Sequence, residues 1–314
     1  MAFNVFLLCL GIGLLYIGSE WMVKGAASLA LSFSIRPIIV GLTVVAFGTS
    51  APELVVSLIA AVKGSIGVSL GNILGSNVAN IGLVLGASAF VRPLAVDVKL
   101  LKREIPFLIG ISGLFFLICL DGHIGRMDGV ILLLCLAAFL AMGIMTAKKF
   151  TDMSLETKAN RGRRLLFDMV LVVAGSIGLV LGAHYIVNAA IYVAGRLGFS
   201  EIFIGISIVA VGTSLPELAT SVVAGIRGEY DLSLGNVVGS NIFNIGMVIG
   251  TVGLFNPMEV GVGLMRFEFP AMFILTFILF LFARTGFIIS RIEGFLFLLS
   301  FFLFVLISYW LGQG

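Results

Sequence analysis

The sequence predicts an all-α polytopic membrane protein of ten transmembrane helices, arranged as two inverted five-helix repeats. Three observations predict it. The 314 residues are 60% hydrophobic and 11% charged, with a mean hydropathy of +1.20, a composition far outside the soluble globular range. The stretch Gly41 to Asn80 returns without a gap, 164 positions later, as Gly205 to Asn244. Self-similarity of this kind inside one chain marks a repeat architecture. Finally, the apolar runs long enough to cross a bilayer fall into two sets of five.

In chain order the first set lies at about 3–31, 37–62, 67–91, 104–120 and 127–147, and the second at about 166–194, 201–226, 232–255, 267–284 and 292–311. Residues 1–147 therefore form one half and 166–314 the other, with 148–165 as a charged polar linker. The first run has no basic residues ahead of it and exceeds signal-peptide length, so it is read as a membrane helix. Because five is odd, the second half enters the membrane from the opposite side, the inverted topology common among transporters. The repeat extends to Arg126-Met127-Asp128-Gly129 and Arg291-Ile292-Glu293-Gly294, 165 positions apart at the start of the fifth and tenth runs.

Lys and Arg set the orientation. Fourteen fall in loops on the side of the central linker and four on the other side, which predicts a cytoplasmic linker and both termini outside. With a net charge of +3 and basic residues at helix ends and in the linker, apart from Lys24 inside the first run, which is left out of the count, nothing points to nucleic acid. Cys9, Cys119 and Cys135 show no metal or redox spacing and are expected as buried free thiols.

Both repeat copies keep the same polar residues. The first has Gly48-Thr49-Ser50-Ala51-Pro52-Glu53 and Gly71-Asn72-Ile73-Leu74-Gly75-Ser76-Asn77-Val78-Ala79-Asn80. The second has Gly212-Thr213-Ser214-Leu215-Pro216-Glu217 and Gly235-Asn236-Val237-Val238-Gly239-Ser240-Asn241-Ile242-Phe243-Asn244. Pro52, inside a span, removes an N–H and disfavours helix at Ala51, so the helix should break and free carbonyls around Ala46 to Thr49. Broken backbone at this depth survives only when packed in protein or lining a polar cavity. Glu53 and Glu217 follow the breaks, where a carboxylate costs at least ~2.5 kcal/mol unless compensated. No cationic side chain lies within the second, third, seventh or eighth runs, apart from Arg227 just beyond the seventh. The compensating partner is then a bound cation, a proton, or each in turn. Ser76 and Asn80, four apart, share a helix face and add a hydroxyl and an amide oxygen. Two carboxylates among neutral oxygens suit Ca²⁺ better than Mg²⁺, which demands a tight octahedron.

Simpler roles exist for several of these residues. Ser50-x-x-Glu53 and Ser214-x-x-Glu217 have capping-box spacing. Gly71-x-x-x-Gly75 and Gly235-x-x-x-Gly239 have helix-packing spacing and would draw the third and eighth helices against the breaks. Glu20 and Lys24, at i and i+4, are expected to neutralise each other. Asp121, Asp128 and Glu293 sit at helix ends and are expected to be solvated.

The paired Gly-Thr-Ser-x-Pro-Glu and Gly-Ser-Asn-x-x-Asn runs, present twice, resemble the two α-repeats of the calcium/cation antiporter superfamily, specifically its prokaryotic sodium/calcium exchanger branch. That resemblance implies a central Ca²⁺ bridged by Glu53 and Glu217, with backbone oxygens of Thr49 and Thr213 in its shell. It further implies Na⁺ sites using the carbonyls of Ala46 and Ala210 and the side chains of Ser50, Ser76, Ser214 and Ser240, with Asn80 and Asn244 lining the middle. The first and sixth helices would slide across a core formed by the rest. Potassium-dependent relatives use an acid where this chain has Asn244, so Asn at both central positions implies exchange without K⁺.

The expected function is Na⁺/Ca²⁺ antiport by alternating access in a plasma (inner) membrane, with Ca²⁺ and Na⁺ as substrates, no cofactor, and a monomer that suffices. Proton/Ca²⁺ exchange on the same fold is the nearest rival, although the Gly-Asn-Ala-x-Glu run usual in that branch is absent. A passive cation channel is a second rival. An intramembrane hydrolase using two carboxylates is a third, but no nucleophile or dedicated acid–base pair supports it.

Overall fold

The computed structural model describes residues 2–147, 158–196 and 210–311. The chain opens with α1 (Ala2–Ser32), which ends at left-handed Ser34. Pro37, whose fixed φ suits the first turn of a helix, starts α2 (Pro37–Thr49), which is followed after Ser50 by α3 (Ala51–Val62). Next come α4 (Ile66–Val91), α5 (Leu100–Asp121) and α6 (Arg126–Ala147). The second half contributes α7 (Lys158–Arg196), α8 (Ala210–Thr213), α9 (Leu215–Arg227), α10 (Tyr230–Phe255), α11 (Val262–Arg284) and α12 (Arg291–Leu311).

Among the described residues, eight helices are long and apolar enough to cross a membrane, and a ninth forms if α2 and α3, bent by 43°, are taken as one span. The expected seventh run begins in residues 201–209, which lie outside the described residues, as do residues 148–157 of the expected linker. From Lys158 onward that linker is helical, because Lys, Ala and Arg are good helix formers even where they are not apolar.

The local signatures of the repeat recur at the same interval. Ser50 (φ −83°, ψ 3°) and Ser214 (φ −86°, ψ 4°) interrupt their helices identically. Gly64 and Gly228 end the following helices with φ of +77° and +83°, a conformation that glycine adopts without steric cost. Within α4 and α10, Asn80–Leu85 and Asn244–Ile249 form wide π-helical turns, a feature frequent at functional sites.

Two short ribbons tie one half to the other. β1 (Leu94–Ala95) pairs antiparallel with β4 (Ile288–Ile289), placing Leu94 opposite Ile289. β2 (His123–Ile124) pairs antiparallel with β3 (Met258–Glu259), placing Ile124 opposite Met258. Leu94 and Met258 are 164 apart and Ile124 and Ile289 are 165 apart, so this is one contact made twice.

Helices α4 and α10 occupy the centre. Their most apolar stretches are 78% and 83% buried, against 17–39% for the other long spans. Around them a large core gathers Ile73, Leu74, Val78, Ile81, Val238, Ile242, Ile245, Phe115 and Phe269. A second core, with Leu15, Met22, Ala26, Leu179 and Ala183, belongs mainly to α1 and α7. These two helices run antiparallel in close contact. Gly18 lies against Gly175, Gly11 against Gly182, and Gly25 against the carbonyl of Asp168.

Several charged and thiol side chains differ from expectation. Glu20 pairs with Arg227 at the end of α9 rather than with Lys24, and Arg227 Nε lies 3.0 Å from Glu20 Oε1. The planar guanidinium offers two donors in the geometry of a carboxylate, which a Lys ammonium cannot match. Asp128 and Glu293 are not simply solvated, because each accepts a backbone N–H at 2.7 Å, from Gly125 and Ser290 respectively. Asp121 accepts the backbone N–H of His123. Cys119 is buried, Cys135 half-buried and Cys9 exposed on the apolar surface, all as free thiols.

Candidate functional site

The two helix breaks, at Ser50 and Ser214, face the middle turns of α4 and α10. Pro52 and Pro216 sit one residue into the helices that follow each break, so the first turn there lacks an N–H donor. Thr49, Ser50, Glu53, Ser76, Asn80, Ser214, Glu217, Ser240 and Asn244 are all buried, and Thr213 is 8% exposed. Ala46 is buried on α2, and Ala210 opens α8.

Close packing accounts for how α10 meets α2. A Cβ on Gly239 would stand 2.7 Å from Ala46 Cβ and 2.8 Å from the carbonyl of Leu42, and one on Gly235 would stand 2.8 Å from the carbonyl of Ile38. The second glycine pair therefore does bring its helix against a break, as its spacing implies. Gly71 and Gly75 meet nothing within 4 Å among the described residues.

Hydrogen bonds cross between the halves in matched pairs. Thr49 Oγ1 donates to Asn236 Oδ1 at 3.0 Å, and Thr213 Oγ1 to Asn72 Oδ1 at 3.4 Å. Thr49 Oγ1 is 3.4 Å from Ser240 Oγ, and Thr213 Oγ1 is 3.5 Å from Ser76 Oγ. Asn80 Nδ2 donates to Asn241 Oδ1, and Asn244 Nδ2 to Asn77 Oδ1, both at 3.1 Å. Asn72, Asn77, Asn236 and Asn241 were not among the expected ligands. Their signal was nonetheless available, since all four recur at the 164-residue interval inside the repeated runs.

What remains unpaired is mostly oxygen. Among the described residues, both carboxylate oxygens of Glu53, Oε2 of Glu217, Oδ1 of Asn80 and Oδ1 of Asn244 are buried without a hydrogen-bond donor. Ser214 Oγ also lacks a partner, whereas Ser50 Oγ donates to Glu217 Oε1 at 3.3 Å. Neither serine caps its helix through the side chain, which removes the capping-box role. Leaving buried acceptors unmet costs roughly 1–3 kcal/mol each, and more for charged groups. So many in one place, two of them on a carboxylate, call for an electropositive occupant.

That occupant is not a side chain. α2, α3, α4, α8 and α10 contain no Lys, Arg or His, and Arg227 in α9 is held by Glu20. Among the described residues, no three His, Cys, Asp or Glu side chains converge as a metal cluster. A cation accepted here meets two carboxylates and otherwise hydroxyl, amide and carbonyl oxygen, the ligand set of hard ions.

Comparison with known proteins agrees with this chemistry. The family model described as sodium/calcium exchanger protein matches residues 3–145 and 167–310. The chain is 36% identical over 301 residues to the putative antiporter CaxA of Alkalimonas amylolytica, covering 93% of this chain and 94% of that one. It is 30% identical over 346 residues to the sodium/calcium exchanger MaX1 of Methanosarcina acetivorans, covering 98% and 99%. A solved structure of the sodium-calcium exchanger NCX_Mj, soaked with 2.5 mM Na⁺ and 1 mM Sr²⁺, superposes with a TM-score of 0.85 at 36% identity and covers 96% of each chain.

Proposed function

The chain belongs to the sodium/calcium exchanger protein family, a family of transporters, and from that premise we propose that it is a Na⁺/Ca²⁺ antiporter working by alternating access. The observation that carries the proposal is the cluster of buried, donorless oxygens on Glu53, Glu217, Asn80 and Asn244, with no cationic side chain to meet them.

Glu53 and Glu217 bridge Ca²⁺ together with backbone oxygens of Thr49 and Thr213. Na⁺ takes the flanking positions, at the carbonyls of Ala46 and Ala210 and the hydroxyls of Ser50, Ser76, Ser214 and Ser240, with Asn80 and Asn244 lining the middle. Since both ions need the same two carboxylates, they compete, and competition couples their fluxes. Two fixed negative charges neutralise one Ca²⁺, whereas three Na⁺ would leave the site with +3 − 2 = +1. Exchange is then electrogenic, and each net charge moved is worth ~2.3 kcal/mol per 100 mV. With Asn at both central positions there is no third carboxylate to hold K⁺, so exchange is K⁺-independent.

The fold has ten spans in two inverted halves, counting α2 with α3 and α8 with α9 as broken spans. Antiparallel packing of α1 on α7 and the twice-made ribbon contact support this arrangement. α1 and α7, which supply most of the second core, slide against the remaining helices to expose the site to each face in turn. The protein resides in the plasma membrane, with the central linker cytoplasmic and both termini outside, as the Lys and Arg distribution favours. One chain supplies the whole donor set, so a monomer suffices.

The test is ⁴⁵Ca²⁺ uptake into proteoliposomes loaded with Na⁺ and diluted into Na⁺-free buffer, at clamped pH and with valinomycin and K⁺ fixing the voltage. Uptake should require internal Na⁺ and accelerate at inside-positive potential, because three Na⁺ leave for each Ca²⁺ that enters and one net positive charge exits the vesicle. Uptake indifferent to Na⁺ but driven by a pH gradient would replace Na⁺ with H⁺ as the counter-ion, and flux without any counter-ion would indicate a channel.

A further inference from the structure

Asn72 and Asn236 contribute no free oxygen to the site, yet each touches both halves of it. Asn236 Nδ2 donates to Ser221 Oγ at 2.9 Å and to the carbonyl of Glu217 at 3.4 Å. Asn72 Nδ2 donates to Ser57 Oγ at 3.0 Å and to the carbonyl of Glu53 at 3.5 Å. With the amide nitrogen committed to its own half, the amide oxygen must point the other way, because the two ends of an Asn side chain are chemically distinct. It points at the threonine of the opposite break.

That threonine has a choice. Thr49 carries a single hydroxyl proton, and its nearest acceptor is Asn236 Oδ1 at 3.0 Å, ahead of the carbonyl of Ala46 at 3.3 Å and Ser240 Oγ at 3.4 Å. The Ala46 carbonyl already accepts the backbone N–H of Ser50 at 2.9 Å, and a carbonyl has two lone pairs. A hydroxyl turned back on Ala46 would occupy the second one. A hydroxyl turned to Asn236 leaves it open.

We infer that Asn72 and Asn236 are positioning residues that draw the hydroxyl proton of the threonine at the opposite break, and that Asn236 thereby keeps the second lone pair of the Ala46 carbonyl open to a monovalent cation. The inference deepens the exchange reading above and rests on its assignment of Ala46 to a Na⁺ position. Its consequence is selective. Ca²⁺, held by Glu53 and Glu217, depends little on the Ala46 carbonyl, whereas Na⁺ depends on it directly. The duplication argues against chance, since the same amide-to-threonine bond is made from each half to the other.

The experiment uses the full chain in proteoliposomes, with Asn236→Ala, Thr49→Val and the double variant. The Na⁺ KM comes from Na⁺-dependent ⁴⁵Ca²⁺ uptake, and the Ca²⁺ KM from Ca²⁺/Ca²⁺ exchange without Na⁺. Asn236→Ala should raise the Na⁺ KM roughly five- to tenfold, the effect of one rerouted hydrogen bond, and change the Ca²⁺ KM less than about twofold. Adding Thr49→Val, which removes the hydroxyl that would turn back, should return the Na⁺ KM to that of Thr49→Val alone. Such non-additivity is the mark of two groups acting through one contact. If both KM values rise together and the two substitutions add, Asn236 is only a helix brace and the inference is overturned while the exchange reading stands. If wild-type uptake ignores Na⁺, the exchange reading fails first and takes this inference with it. Should Asn236→Ala not be recovered folded, Asn72→Ala with Thr213→Val makes the equivalent exchange on the copy with the longer bond, with the same opposing outcomes.

Discussion

Gly18→Ala tests the seam between α1 and α7. A Cβ at this position would lie 2.9 Å from the carbonyl oxygen of Gly175 and 2.9 Å from the backbone nitrogen of Leu179, where ordinary contact begins at 3.4 Å. Both obstacles are backbone, so no rotamer change relieves them, and the helices must separate by ~0.5 Å along their contact, an overpacking that costs about 1–3 kcal/mol. Alanine returns up to ~1 kcal/mol through its better helix propensity. Gly13→Ala, on the same helix, is the control, because nothing lies within 4 Å of a Cβ there and only the propensity gain applies. The two variants should therefore differ by ~1–3 kcal/mol, or roughly 2–6 °C in Tm, when melted side by side in one detergent. Gly18→Ala should be the less stable. Equal melting temperatures would refute the claim that direct backbone contact sets the spacing of this pair.

Three further outcomes follow from the site and its flanks. Glu53→Gln should abolish measurable ⁴⁵Ca²⁺ uptake, since losing two charge-assisted contacts removes ~3 kcal/mol or more of Ca²⁺ binding; uptake at the wild-type rate would exclude Glu53 as a ligand. Ser50→Ala should shift the Ca²⁺ KM by roughly two- to tenfold and Ser214→Ala by less, because only Ser50 donates to a carboxylate, and equal shifts would deny the asymmetry of the two breaks. Glu20→Gln should loosen the contact of α1 with the end of α9 and change the ratio of apparent Ca²⁺ affinities on the two faces of oriented vesicles. An unchanged ratio would mean that the pair plays no part in sidedness.

The breaks were legible because proline and a carboxylate inside an apolar run violate what hydrocarbon permits, and the violation occurs twice. The position of α4 and α10 at the centre was legible in outline, since their small and polar residues suit buried contact and not lipid. Partner choice across the halves was not. Glu20 has Lys24 one turn away and Arg227 more than two hundred positions away, and only the packing of α1 on α9 decides between them. For the same reason the Asn–Thr bonds escaped, although the recurrence of Asn72 and Asn236 marked them as more than packing. The helical start at Lys158 was missed for a different reason. Apolarity reports where a chain meets lipid, and a helix that continues into water carries no such signal. The ribbons are two residues per strand, too short for any periodicity.

Under the proposed inverted arrangement, a chain whose halves were identical would have inward- and outward-facing states of equal energy, and would bind its ions alike from both sides. The site itself comes close to this condition, since its Asn–Thr and Asn–Asn bonds are made in matched pairs. Departures concentrate elsewhere. Ser50 reaches Glu217, but Ser214 does not reach Glu53. Glu20 and Arg227 pair, but the residues 164 positions from them are His184 and Lys63, which have no opposite charges to join. Arg36 pairs with Asp97 at 3.1 Å, whereas the corresponding positions hold Ser200 and Gly261. Contacts present in only one half stabilise one state over the other, and each ~1.4 kcal/mol of difference changes the ratio of states tenfold. An ion cannot supply that bias alone, because it shifts an equilibrium only by its differential affinity for the two states. Selectivity is therefore encoded in what the repeat copies, and sidedness in what it does not.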